Sequence, residues 1–267
     1  MSFCNGVPVL VNPIIPVILC GGEGKRLKPL SSSVLPKSFL ALSTHRSMLA
    51  EMINLLDYDR FMVVSTLAYR DLVMAELKRV GAGSAFCVFE PVGLGTSSAL
   101  LATCLVLYAH GRMQENPILM VMPSDLVMTD KRAFHQARQR SAQLAQDSGH
   151  WVMWGSKTYA DDQGYGYIQH HVDSNHVKHF IEKPKDVCLL EQDINYEWLW
   201  NCGIYLVSLQ RALEDLTRYY MPFIGDAAAR DSLDHTVIEY TPYRSCIKID
   251  FAWQDIGTWE RLWAVND

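Results

Sequence analysis

Apolar and polar positions follow two rhythms along this chain. Through the first half, short apolar runs separated by longer amphipathic stretches predict strands at residues 14–20, 60–65, 85–89 and 118–122. Between and after them, helices are predicted at about 47–56, 69–80, 96–109 and 131–146. This alternation predicts an α/β fold, a mostly parallel sheet with helices on both faces, whose ligands sit beyond the carboxyl ends of the strands. The second half changes rhythm. Residues 151–156, 165–172 and 176–181 read as consecutive strands, joined by turns at Gln163-Gly164 and Asp173-Ser174-Asn175. Residues 202–207 and 246–252 read as further strands, with helical stretches between. No repeat, low-complexity segment or linker interrupts the chain, so residues 1–267 predict a single domain.

Composition narrows this picture. With 49% apolar and 20% charged residues, the chain is too apolar for a disordered protein. Its formal net charge of −5 argues against nucleic acid or an anionic membrane as partner, but leaves room for a local basic cluster that holds a small anion. The seven cysteines, at 4, 20, 87, 104, 188, 202 and 246, form no C-x-x-C pair. They read as reduced, mostly buried thiols of a cytoplasmic protein. Residues 7–20 are apolar enough to suggest a signal or membrane segment, but Pro8, Asn12, Pro13 and Pro16 interrupt them and no basic residue precedes. A buried strand with an extended lead-in fits better.

Directly after the first strand comes Gly21-Gly22-Glu23-Gly24-Lys25-Arg26-Leu27-Lys28-Pro29-Leu30. Three glycines in four positions let backbone N–H groups approach a polyphosphate without Cβ interference. Arg26 adds a forked guanidinium and Lys37 a point charge. A Walker loop is excluded, because Arg26 follows Lys25 where Ser or Thr is needed. The dinucleotide pattern fails too, with Leu27 at its third glycine.

With Pro36-Lys37-Ser38-Phe39-Leu40 added, the loop resembles the signature of sugar-1-phosphate nucleotidylyltransferases, and within them the mannose-1-phosphate guanylyltransferases. The resemblance continues in order through Glu90-Pro91-Val92-Gly93-Leu94-Gly95-Thr96, Pro123-Ser124-Asp125 and Gly164-Tyr165-Gly166-Tyr167-Ile168. Glu182-Lys183-Pro184, Trp200-Asn201-Cys202-Gly203-Ile204 and the segment from Trp253 to Trp259 complete it, so that it spans roughly residues 14–263. It implies a Rossmann-like sheet of the nucleotide-diphospho-sugar transferase type, with a nucleotide half at about 14–150 and a sugar-binding half at about 151–263. It also implies a reaction, transfer of a nucleotidyl group from GTP to mannose-1-phosphate to give GDP-mannose and pyrophosphate. The attacking phosphate oxygen is already an anion, so catalysis needs positioning and charge neutralisation and no protein base.

The resemblance assigns roles. Arg26, Lys37, Asp125 and Asp255 become the catalytic set, with Asp125 and Asp255 holding Mg²⁺ against phosphate oxygens. A helix N-cap is the plain alternative for Asp125. Leu19, Gly21, Gly22, Gly24, Glu90, Pro91, Gly95 and Thr96 become nucleotide contacts, and Gly166, Glu182, Lys183 and Asn201 contacts to the sugar phosphate. Asn201 donates and accepts at once, which suits a vicinal diol. Trp198, Trp200, Trp253, Trp259 and Trp263 read as core or interface residues, and His170, His171, His176 and His179 as structural.

The chain departs from the family pattern at Leu94-Gly95, where Arg-Asn is usual, at Lys28 in place of Trp, and at Leu126 in place of His. Glucose or heptose phosphates, UTP or dTTP, and a non-catalytic nucleotide-sugar-binding homologue therefore remain alternatives. Small molecules are the expected partners, with neither nucleic acid nor membrane, and a homo-oligomer is compatible. The chain ends soon after the last motif, so neither an isomerase domain nor a left-handed β-helix is expected.

Overall fold

The computed structural model describes residues 3–4, 7–8, 12–41, 45–58, 60–159, 162–186, 193–223 and 232–266. In chain order the elements begin with β1 (Phe3–Cys4), β2 (Val7–Pro8), β3 (Ile14–Leu19), α1 (Met48–Leu56), β4 (Met62–Thr66), α2 (Arg70–Arg79) and β5 (Phe86–Glu90). There follow α3 (Thr96–Ala109), β6 (Ile118–Pro123), β7 (Leu126–Met128), α4 (Lys131–Ser148), β8 (Trp151–Lys157), β9 (Tyr167–His171) and β10 (Val177–Ile181). The last are β11 (Tyr196–Ser208), α5 (Leu209–Asp215), β12 (Arg244–Ile249), β13 (Trp253–Asp255) and α6 (Trp259–Asn266). Nine of the strands form one mostly parallel sheet with added antiparallel strands, the expected α/β architecture. The chain divides into two compact units: unit 1, Met1–Ile14, Leu94–Met120 and Gln136–Asp250, and unit 2, Ile15–Gly93, Val121–His135 and Phe251–Asp267.

In unit 2, β3, β4 and β5 pair in parallel, with Val17 opposite Met62 and Met62 opposite Phe86. Val17, Ile18 and Val63 are fully buried, as in strands covered on both faces. Ser47 caps α1 by accepting the Ala50 N–H at 3.0 Å, and Asp57 ends it at φ 51°. β7 and β13 form a short antiparallel pair that sequence periodicity does not signal, since three residues are too few to establish a period. A cluster of Leu27, Leu40, Met48, Ile256 and Leu262 pins the loop after β3 to the segment after β13.

In unit 1, β10, β9 and β11 are successive antiparallel neighbours, β8 pairs antiparallel with β11, and β12 joins β8 in parallel. β11 starts at Tyr196, six residues before the expected 202, because Glu197 and Asn201 interrupt the apolar run that marks its later half. The five tryptophans read as core or interface are half-buried or exposed. Trp151 and Trp154 are the fully buried ones, their indole N–H groups donating to Asp215 Oδ2 at 2.8 Å and Ser141 Oγ at 2.7 Å.

Cys20, Cys104, Cys202 and Cys246 are buried free thiols and Cys87 is half-buried, whereas Cys188 and residues 9–11 of the lead-in lie outside the described residues. Among the described residues, no helix is long and apolar enough to cross a membrane.

Candidate active site

The loop after β3 leaves a fixed strand end, where the Cys20 N–H still reaches Val64 O at 2.7 Å. Leu19 is half-buried there. Gly21 and Gly22 are exposed, and a Cβ on either would meet nothing within 4 Å, so their backbone is open to a ligand. Gly24 differs. Its φ is 73°, and a Cβ would lie 2.5 Å from Lys37 Cβ, so glycine there serves both a left-handed turn and the close approach of Lys37. Arg26 follows, exposed, with no hydrogen bond or ion pair among the described residues. Glu90 is buried at the end of β5, and Pro91 is exposed beside it.

Lys37 is the centre of this arrangement. Its Nζ ion-pairs with Asp125 and stands 3.6 Å from Asp255 Oδ1, while Arg261 Nη1 holds Asp255 Oδ2 at 3.1 Å. The two aspartates, distant in sequence, meet through the β7–β13 ladder, where Asp255 lies opposite Leu126 and the Ile256 N–H donates to Asp125 O at 3.1 Å. Asp125 is therefore not a helix N-cap. Asp130 takes that role for α4, accepting the Ala133 N–H at 2.8 Å.

Burial, and then the charge of Asp125, raises the Asp255 carboxyl above its usual range, against the pull of Lys37, Arg261 and Arg26. Two half-buried carboxylates beside each other favour cations, of which Lys37 is one. Their hard oxygens suit a divalent cation. No larger group of His, Cys, Asp or Glu suited to a metal occurs among the described residues. Ser38 Oγ and Ser124 Oγ, each next in sequence to Lys37 or Asp125, share a 2.7 Å hydrogen bond. The nearby Cys20 thiol is pushed up to about 11 by burial, so it is neutral and no nucleophile.

The remaining candidates lie in unit 1. Gly95, the residue before α3, has φ 104° and ψ 177°, a region open essentially to glycine alone. Thr96 Oγ1 is committed to the Leu233 N–H at 2.6 Å.

Gly166, Glu182, Lys183 and Asn201 come together. Glu182 is buried at 7% exposure, not part of an exposed strand end, and its Oε2 lies 2.5 Å from where a Gly166 Cβ would be. Lys183, exposed and at φ 44°, donates to Glu182 Oε1, and the Glu182 N–H donates to Glu239 Oε1 at 3.0 Å. The Asn201 N–H bonds Gly166 O at 2.8 Å. Its side chain is less free than a diol partner requires: Nδ2 donates to Tyr205 Oη at 2.7 Å and Asp234 Oδ1 at 2.9 Å, and Oδ1 accepts the Gly203 N–H at 3.0 Å. Burial, and then the charge of Asp234, raises the Glu182 carboxyl, with Lys183 and His235 opposing.

Sequence reasoning missed Arg261, Tyr205, Asp234 and Glu239. Asp234 and Glu239 both act on Glu182 because residues 234–238 form a π-turn, which brackets one turn with a spacing of five. No ordinary helical or strand period signals that. Arg261 lies six residues after Asp255, where only a turn back from β13 brings it into reach.

Residues 15–267 match the nucleotidyl transferase family. The chain is 30% identical to the mannose-1-phosphate guanylyltransferase of Escherichia coli, over 95% of this chain and 60% of that protein. It is also 30% identical to the alginate biosynthesis protein AlgA of Pseudomonas aeruginosa, over 95% and 58%. It thus spans about 60% of the length of the curated relatives it matches. Among solved structures, the mannose-1-phosphate geranyltransferase of Thermus thermophilus superimposes with a TM-score of 0.75 at 23% identity, over 94% of this chain and 79% of that one, a likeness of fold. The match begins inside β3, runs through the glycine loop and both aspartates, and reaches α6: the chain belongs to the nucleotidyl transferase family.

Proposed function

We propose that this chain transfers GMP from GTP to mannose-1-phosphate, releasing pyrophosphate. The observation that carries the reading is the Lys37 ammonium held between Asp125 and Asp255, beside a glycine loop open to a polyphosphate. The mannose-1-phosphate guanylyltransferases among its relatives suggest the substrates.

In this reading the loop backbone at Gly21, Gly22 and Gly24, with Leu19, Glu90, Pro91, Gly95 and Thr96, takes the nucleotide. Arg26, unpaired among the described residues and exposed, meets the β- and γ-phosphates and stabilises the charge that develops on the leaving pyrophosphate. Lys37 and Lys183 offset the repulsion between two anionic reactants, and Glu182 and Gly166 with Asn201 orient the sugar. A divalent metal, which we take to be Mg²⁺, would be held by Asp125 and Asp255 and, when bound, would neutralise phosphate oxygens. The attacking phosphate oxygen carries its own charge, so no residue has to remove a proton. The same reading makes the described units parts of one catalytic domain, working in the cytoplasm on small molecules.

The test is a panel of GTP, ATP, UTP and dTTP against mannose-, glucose- and heptose-1-phosphates with pyrophosphate release as readout. Release with GTP and mannose-1-phosphate above all other pairs is expected. Release with no pair would leave a nucleotide-sugar-binding protein without catalysis, and a preference for UTP or dTTP would remove the guanylyl assignment.

A further inference from the structure

Asn201 and Tyr205 lie four residues apart on β11, a separation of about 13 Å in a regular strand. Here Tyr205 Oη and Asn201 Nδ2 are 2.7 Å apart. The reason is an irregularity in the ladder. Asn201 faces Gly155 and Tyr205 faces Met153, so four steps on β11 match two on β8, and Gly203 between them turns at φ 71°. Bulges of this kind re-aim side chains. The re-aimed groups end on Asp234, whose Oδ1 accepts from both Asn201 Nδ2 and the Tyr205 hydroxyl.

We propose that Tyr205 is a positioning residue that, with Asn201, locks Asp234 through its Oδ1, so that the cluster presents carboxylate oxygen to a ligand and selects the hydroxyl donors of a sugar. The ligand half of this proposal rests on the reading that unit 1 takes the sugar phosphate. An amide has two N–H donors, and both are spent on Tyr205 and Asp234 while its oxygen takes the Gly203 N–H. Turning the amide over would aim its oxygen at the Asp234 carboxylate and its N–H groups at the Gly203 N–H, losing both of those bonds in a buried place. What remains without a hydrogen bond among the described residues is Asp234 Oδ2 and Glu182 Oε2. Both are acceptors only. The Tyr205 phenol is raised well above its ordinary range by burial and then by Asp234, so it stays a donor at working pH.

The test has two arms on the intact chain, using Tyr205→Phe, which removes one hydroxyl, and Asp234→Asn as the second variant. In the first arm, each variant should raise KM for mannose-1-phosphate about tenfold, the scale of one buried hydrogen bond, with KM for GTP unchanged. Combined with Asn201→Ala, Tyr205→Phe should cost less than it does alone, because the two side chains bond each other and share Asp234 Oδ1. In the second arm, selective ¹⁵N-asparagine labelling should show slow solvent exchange of the Asn201 side-chain amide in the wild type and faster exchange in Tyr205→Phe, with no ligand present. Additive losses in the double variant, or exchange that Tyr205→Phe leaves unchanged, overturn the proposal. Should exchange respond as expected while the wild type binds no sugar phosphate, the lock is supported and the substrate reading falls.

Discussion

Gly24→Ala is the substitution that most sharply separates backbone strain from displacement of Lys37. Gly24 has φ 73°, where a non-glycine residue costs roughly 1–2 kcal/mol. Gly111 has φ 71° and open space around its missing Cβ, so Gly111→Ala carries the same strain and nothing else. At Gly24 the added methyl also lies 2.5 Å from Lys37 Cβ, 3.3 Å from Cγ and 3.4 Å from Cδ. A Cβ cannot rotate away, so the backbone at Lys37 has to shift, adding about 1–3 kcal/mol of overpacking. The shift moves the ammonium off Asp125 and Asp255, and misplacement on the order of 1 Å costs turnover about 10²-fold. Urea denaturation of both variants gives the stability difference, and pyrophosphate release gives the turnover. Gly24→Ala should be the less stable of the two and should lose activity, while Gly111→Ala keeps it. Equal stability losses, with turnover of Gly24→Ala at the wild-type level, would refute the assignment of Lys37.

Arg26→Ala should lower turnover by about 10²–10³-fold with little change in melting temperature, because the exposed side chain has no structural partner among the described residues; a wild-type rate would show that the loop is not the triphosphate site. Asp125→Asn and Asp255→Asn should each weaken Mg²⁺ activation, each removing one anionic ligand, and activity that persists in EDTA would contradict both. Glu182→Gln should raise stability at neutral pH while it lowers activity. The Glu182 carboxyl is raised by burial, so its contribution to stability is complete below the unfolded carboxyl range and is lost as pH rises through the higher folded value. The gain from glutamine should therefore appear at pH 7 and fade as pH falls into the ordinary carboxylate range, and a variant less stable than wild type at pH 7 would show that the ionised form is held favourably.

The parallel strands of unit 2 were legible because each is a compact apolar run set apart from the next by a loop and a helix. Thr96–Ala109 matches its expected bounds, and α1 begins one residue after the expected 47, with Ser47 as its cap. The glycine loop and Lys37 stand out in the sequence as candidates for holding phosphate. What sequence could not supply was the partnering. Lys37 meets Asp255 only through a three-residue ladder, too short to show a period. Tyr205 reaches Asn201 only through an irregular ladder, and Asp234 and Glu239 bracket Glu182 only through a π-turn. Such features depend on tertiary contacts, not on local propensity. Gly95 illustrates the reverse case: seen in sequence as a lost hydrogen-bonding side chain, it occupies a backbone conformation that any other residue would strain to adopt.

The central claim is tested most directly by pyrophosphate release from GTP and mannose-1-phosphate with Mg²⁺, compared with the same assay on Lys37→Ala. Release by the wild type, with product of the mass of GDP-mannose, and a loss of about 10²–10³-fold in the variant are the expected results. Release that is absent with every sugar phosphate and nucleotide, or that Lys37→Ala leaves untouched, would contradict the claim.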